Sequence, residues 1–305
     1  MHRQNDLIKR INENYVKFSK GQKLLANYII EHYDKAVFLT AAKLGTIVGV
    51  SESTVVRFAN ELGYDGYPRL QRALEELVKN KLTSIQRMEV TSDRIDKTHV
   101  LKSVLQSDAE KIKHTLEEIE PEVFDQAIDM ILGAKNIYIL GVRSCASLAS
   151  FMGFYFNLIF DNVKLIHTNS VSEMFEQIYR MDKDDVVIGI SFPRYSKRTL
   201  KAMEFSKSRS AQVIAITDSP LSPMIQFSNC SLIARSDMAS FVDSLVAPLS
   251  VINALVVALC IKKKENVLDT LENLESIWSE YQVYDNDEEL KINYNLTLDT
   301  KENDV

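Results

Sequence analysis

Two short segments carry the residue types that hold an anion. Gly141-Val142-Arg143-Ser144-Cys145-Ala146-Ser147 follows the apolar run NIYIL, and Ser191-Phe192-Pro193-Arg194-Tyr195-Ser196-Lys197-Arg198-Thr199 follows DVVIGI. Each leaves a β-branched run and enters a helical pattern, which brings helix-start amides close to hydroxyls and cations, a combination that favours a phosphate oxygen. The expected ligand-binding residues are therefore Gly141, Arg143, Ser144, Ser191, Arg194, Tyr195, Ser196 and Lys197. Gly141 allows a tight exit from its strand.

A second set, Lys43, Ser51, Ser53, Thr54, Arg57 and Asn60, has the donors and lengths needed to reach phosphates and base edges of a duplex, Arg57 above all. The plain alternative for these residues is the solvated face of a helical hairpin. Isomerisation of an aldose would need a base beside a carbonyl, and His167, Glu173 and Glu176 are the nearby candidates. Their simpler reading, preferred here, is a strand-end histidine and an exposed helix face, so no catalytic residue is expected. Cys145, Cys230 and Cys260 are scattered, odd in number and lack C-x-x-C spacing, which reads as small buried hydrophobes rather than a disulfide framework or a metal site. No cofactor is implied.

These residues need elements to position them. Thr40 is placed to cap a helix through Val48, with Leu44, Ile47 and Val48 on one apolar face. Gly49 permits a sharp turn, Val50 plugs it, and Ser51 caps a second helix from Glu52 to Leu62 that Gly63 closes. Val55, Phe58, Ala59 and Leu62 fall inward on that helix. Helix, three-residue turn, helix is a helix-turn-helix.

Further along, β-branched strand candidates at 136–140, 163–167, 186–191, 212–217 and 231–234 alternate with helical patterns, the grammar of a parallel sheet covered by helices. Pro121 suits a first helical turn and Gly133 an ending. Ser240 and Ser244 precede the apolar run Leu245–Ile261, which holds Pro248, Ser250 and Asn253 and is shorter than the ~20 residues a bilayer requires, so a buried or interface helix is expected. The fold class is thus an all-α helix-turn-helix domain followed by an α/β doubly wound parallel sheet. The expected division is residues 1–80 for the first domain, a polar linker over 81–100 in which helix continues at most at its start, the second domain over 101–284, and a polar tail from 285 to 305.

Charge is unequal along the chain. Residues 1–80 hold 12 Lys/Arg against 9 Asp/Glu, whereas the remainder holds 24 against 33, so the net of −6 comes from an acidic second part and a mildly basic first one. That fits nucleic-acid contacts confined to one end. Met1 to Lys23 carries charges throughout, so the first thirty residues do not read as a signal segment, and a cytoplasmic protein with no membrane contact is expected.

The stretch VSESTVVRFANELGYDGYPRLQRAL, Val50 to Leu74, with its turn Gly63-Tyr64-Asp65-Gly66-Tyr67-Pro68, closely resembles the signature of RpiR-type regulators, and Phe18 to Ile30 resembles their opening helix. The resemblance implies a sequence-specific DNA-binding domain acting as a dimer or higher homo-oligomer on a double-stranded operator. It also implies a C-terminal SIS domain, a doubly wound fold that binds phosphorylated sugars, and AQVIAITD before Ser219 fits it. Both anion loops depart from the family pattern. Pro193 and Arg194 stand where an inner Ser and Gly are usual, Arg143 replaces a usual Gly, and Cys145 a common Ser. Such arginines either strengthen binding of a highly charged ligand or fill the pocket with their own side chains. The resulting expectation is a transcriptional regulator that senses a phosphorylated sugar. A sugar-phosphate isomerase and a SIS fold that only oligomerises are the alternatives.

Overall fold

The computed structural model describes residues 6–81, 83–92, 98–168, 170–236 and 242–284. The expected tail from 285 to 305 lies outside them, as does Ser240.

The chain opens with α1 (Asp6–Asn14), α2 (Lys20–Glu31), α3 (Tyr33–Ala36), α4 (Ala41–Val48), α5 (Glu52–Glu61) and α6 (Gly66–Lys81). Local signals set several of these boundaries. Ser19 and Gln22 form a reciprocal capping box at α2, and Thr40 Oγ1 accepts from Lys43 N at α4. Gly49 takes φ +78 after α4, and Ser51 Oγ accepts from Thr54 N at the start of α5. One apolar core holds the group together, with Ile11, Leu25, Ile29, Leu44, Phe58 and Leu70 fully buried. Each such side chain contributes roughly 1.5–3 kcal/mol by leaving water.

Ile47 departs from its expected place, being 53% exposed. Leu44 and Gly45 are the buried positions of α4, and Ala41 and Val48 pack partly against the core. At 3.6 residues per turn Ile47 falls to the side of that face. The unrecognised inward position is Gly45, where an added Cβ would stand 2.7 Å from the Val50 carbonyl oxygen. The same stretch closes on the Val50 N to Gly45 O hydrogen bond of 2.8 Å. Close helix approach is therefore what this glycine supplies.

The interval expected as a linker contains α7 (Ser84–Ser92). Its start is fixed by a second reciprocal box, with Gln86 N donating to Thr83 Oγ1 at 3.3 Å and Thr83 N to Gln86 Oε1 at 2.9 Å. Thr83-x-x-Gln86 is the sequence signature of such a cap. The helix lies beside α3.

After α8 (Val100–Glu118) and α9 (Pro121–Leu132) comes the α/β unit: β1 (Ile137–Gly141), α10 (Cys145–Ile159), β2 (Val163–Ile166), α11 (Val171–Ile178), β3 (Val186–Ile190), α12 (Lys197–Ser208), β4 (Gln212–Thr217), β5 (Cys230–Ile233), α13 (Val246–Lys262) and α14 (Lys264–Glu280). The strands match the expected ones to within one residue at either end. All pair in parallel in the order β2-β1-β3-β4-β5. Alternate strand residues face opposite layers. Ile137, Ile139, Ile188, Ile190 and Ile214 pack with α9, α10 and α13, while Tyr138, Leu140, Val187 and Val213 pack with α11 and α12. Burial of both faces explains why β1 and β3 are apolar at every position.

The helix foreseen from Leu245 begins at Val246, and Ala247, Val251, Ile252, Leu255 and Leu259 bury one side of it. No single described helix is long and apolar enough to cross a membrane; α13 and α14 reach that length only as a pair bent by 97°. The Ser244 hydroxyl, just before this helix, donates to Asp108 Oδ1 at 2.6 Å.

Candidate functional site

In the order 2-1-3-4-5 the chain reverses direction between β1 and β3, and at the carboxyl ends of those strands the two following loops splay apart to leave a crevice. A cavity of about 330 Å³ occupies this place, at the small end of the ~300–1,000 Å³ range of ligand sites. Its walls include Arg143, Ser144 and Cys145 from the β1 loop and Ser191, Pro193, Arg194 and Ser196 from the β3 loop. The two expected segments are thus brought together.

Glycine-like backbone is kept in both loops without glycine. Arg143 has φ +58 and Arg194 φ +28. Left-handed conformations at bulky residues are disfavoured and cluster at functional sites. Gly141 is required for a different reason, since a Cβ there would stand 2.3 Å from the Cys145 carbonyl oxygen. The strand end and the start of α10 touch backbone to backbone.

The loop hydroxyls are partly engaged. Ser191 Oγ accepts from Ser196 N at 3.2 Å, and Ser196 Oγ caps α12 by accepting from Arg198 N at 3.2 Å. Ser144 makes no side-chain cap at α10. Burial pushes the Cys145 thiol up to about 11, so at neutral pH it is an uncharged wall of the cavity. Three expected residues are not among those lining the cavity. Gly141 serves packing, the Tyr195 hydroxyl donates to buried Asp218 at 2.7 Å, and Lys197 is exposed on α12.

Sequence reasoning missed a third wall. Ser84 and Arg87 of α7 line the cavity together with Val242, Asp243 and Leu245. Arg87 is 2% exposed and its Nη1 donates to Asp243 Oδ1 at 2.7 Å; Arg194 Nη1 donates to Ser84 Oγ at 3.0 Å. The Thr83-x-x-Gln86 cap was the available signal for the helix, but nothing local foretells a partner 156 residues away. Among the described residues, three guanidinium groups therefore border the cavity against the single carboxylate of Asp243.

The candidate bases lie elsewhere. Glu173 receives the Thr168 hydroxyl and its amide donates to Ser170 Oγ, a capping arrangement at α11. His167 and Glu176 are exposed, and none of the three borders the cavity. Among the described residues no cluster of three His, Cys, Asp or Glu is placed to hold a metal ion.

At the other end of the chain, Val55, Phe58 and Ala59 bury the inner side of α5 and leave Ser51, Ser53, Arg57 and Asn60 exposed. Lys43 is exposed on the preceding helix, and Thr54 is half-buried. Ser51 Oγ meets Ser53 Oγ at 2.9 Å and Thr54 Oγ1 at 2.8 Å, a hydroxyl cluster at the helix start. Arg57 projects from the next turn, its Nε donating to Ser53 O at 3.4 Å. Asn60 has a structural task as well: its Oδ1 accepts from Gly66 N at 3.0 Å and ties α5 to the turn entering α6.

A helix-turn-helix unit joined to a doubly wound sheet with an arginine-lined crevice defines a class of protein, the DNA-binding transcriptional regulator with a ligand-sensor fold. Comparison with known proteins narrows it. The rpiR-family helix-turn-helix domain matches residues 5–81 and the SIS domain residues 130–258. This chain belongs to the RpiR family of transcriptional regulators, carrying that family's N-terminal helix-turn-helix and a SIS domain. An uncharacterized HTH-type transcriptional regulator of Clostridium perfringens, CPE0189, is 24% identical over 74% of this chain and 80% of its own length. The sugar isomerase domain of an RpiR transcription factor from Sphaerobacter thermophilus superposes with a TM-score of 0.56 at 24% identity, covering 58% of this chain and 98% of that one. The NanR protein of Vibrio vulnificus, complexed with ManNAc-6P, superposes with a TM-score of 0.55 at 20% identity over 92% of this chain and all of the other.

Proposed function

We propose that the SIS domain of this regulator binds a phosphorylated sugar in the crevice between the β1 and β3 loops, and that binding changes operator affinity without turnover of the ligand. The observation that carries the reading is the cavity itself: among the described residues, Arg87, Arg143 and Arg194 border it and Asp243 is the one carboxylate opposing them. Guanidinium groups bind phosphate in paired, charge-assisted hydrogen bonds. The NanR protein, which has the same fold and is complexed with ManNAc-6P, supports the choice of ligand class. Among the described residues Asp243 is the only carboxylate on the cavity wall, and its pairing with Arg87 leaves it poorly suited to abstract a proton.

On the DNA side, α5 enters the major groove with Ser51, Ser53, Thr54, Arg57 and Asn60 at the duplex and Lys43 at the backbone. A homodimer acting in the cytoplasm would present two such helices to a repeated half-site. Ligand binding redistributes the placement of the two helices and so alters affinity.

Titration of the purified chain with inorganic phosphate and a panel of sugar phosphates, following turnover and thermal stability together, tests the proposal. Stabilisation without turnover is expected, about 2.7 kcal/mol at a hundredfold excess over Kd. Turnover would make it an isomerase, and no response to any member would leave the SIS fold as an oligomerising scaffold.

A further inference from the structure

The wall contributed by α7 has a consequence for how the site is read out. We infer that Arg87 is an effector-binding residue supplied by the segment leading out of the DNA-binding unit, and that its ion pair with Asp243 is the contact an anionic effector displaces. This rests on the proposed anion-binding crevice and adds to it the element through which occupancy is felt.

Arg87 is an unusual residue to find in a connecting stretch. Its side chain is 3% exposed and that of Asp243 is 17% exposed, so the pair is withdrawn from water. A guanidinium is withdrawn in this way only against a partner that holds it, and removing that partner leaves a strongly disfavoured buried charge. The partner here is on the cavity wall, and so is Arg87 itself. A phosphate entering the cavity meets the same guanidinium with more charge than a carboxylate and with three acceptor oxygens against two. It therefore competes directly with Asp243. Arg194, held by Ser84 of the same helix, is the second contact through which the ligand reaches α7.

The neighbours of α7 in the helical unit complete the connection. It begins three residues after α6 ends at Lys81, and it lies beside α3. Leu70, Leu74 and Val78 of α6 belong to the core that also buries Val55 and Phe58 of the recognition helix α5. A change in the contacts of Arg87 and Ser84 thus bears on a helix that lies against α3 of the body that carries α5. Coupling requires differential contacts in the two ligand states, and exchange of Asp243 for phosphate at Arg87 supplies one.

The test uses opposite signs. In full-length protein, inorganic phosphate and the most stabilising sugar phosphate are titrated by calorimetry against wild type, Arg87→Ala and Asp243→Asn. Arg87→Ala should weaken phosphate binding by about tenfold to a hundredfold, the cost of one charge-assisted contact. Asp243→Asn removes the competitor and should tighten binding, while shrinking the effect of ligand on operator affinity. A merely structural ion pair predicts that both variants lose thermal stability and that neither gains affinity, so unchanged or weaker binding in Asp243→Asn overturns the inference. Should Arg87→Ala fail to fold, Asp243→Asn decides alone, since an asparagine still accepts from Arg87. Absence of binding in wild type overturns the crevice proposal and this one with it, whereas wild-type binding with no gain in Asp243→Asn removes only the role given to Arg87.

Discussion

Replacing Arg143 by glycine should make the protein more stable and a poorer anion binder at the same time. The residue sits at φ +58 at the mouth of the β1 loop and borders the cavity. A left-handed backbone costs a side-chain-bearing residue about 1–2 kcal/mol. Glycine adopts it freely but returns roughly 0.5–1 kcal/mol through the greater freedom of the unfolded chain. The net gain is about 0.5–1 kcal/mol, or a rise of roughly 1–4 °C in Tm for a domain of this size. The lost guanidinium removes a charge-assisted contact worth about 1.5–3 kcal/mol, and because Arg143 is exposed the lower end applies, near a tenfold loss of affinity. Arg143→Ala is the control, since it removes the charge and keeps the strained φ. Chemical denaturation and phosphate calorimetry on both variants provide the readout. If the glycine variant were no more stable than the alanine variant, backbone strain would not be stored at this loop. If it bound phosphate as tightly as wild type, Arg143 would not face the ligand.

Other consequences follow from the helix-turn-helix unit. Gly45→Ala places a methyl 2.7 Å from the Val50 carbonyl oxygen, so despite the usual gain of about 1 kcal/mol for alanine in a helix it should destabilise by about 1–3 kcal/mol in urea unfolding. A stabilised variant would contradict the close approach. Tyr67 donates its hydroxyl to Leu39 O at 2.8 Å, and burial pushes its pKa up to about 12 from 10.0. A raised folded pKa means that stability is intact below pH 10 and falls between about pH 10 and 12 as the phenolate is forced out of its site, and Tyr67→Phe should flatten that part of the pH profile. Arg57→Ala should weaken operator binding by about 1–3 kcal/mol while its unfolding midpoint stays near that of wild type; equal operator affinity would remove Arg57 from the interface.

What the sequence revealed was whatever depends on neighbours in the chain. Thr40, Gly49 and Ser51 act on amides three residues away or on their own φ, so both helices of the motif were legible, as were strands whose apolar runs need burial on both faces. The two loops that wall the cavity were legible for the same reason, each being a strand end followed by a helix start. Long-range partners were not. Arg87 and Asp243 stand 156 positions apart, and only the folded sheet places them at one cavity. Tyr195 looked like a ligand residue by its position beside Arg194, yet it turns to Asp218, 23 positions on. Glu173, read as part of an exposed helix face, is exposed at the start of α11, where its amide donates to the Ser170 cap and its carboxylate accepts from the Thr168 hydroxyl. Ile47 was misplaced because the inward residue beside it, Gly45, has no side chain to announce a buried face.

The central claim is that α5 reads a duplex under control of the SIS crevice. The most direct measurement is fluorescence anisotropy of labelled promoter fragments titrated with full-length protein at physiological salt, with and without the sugar phosphate that most stabilises it. Tighter binding to one fragment than to random duplex of equal length, shifted by about 5- to 150-fold when the ligand is added, is the predicted result. Equal affinity for promoter and random duplex, unmoved by ligand, would contradict it.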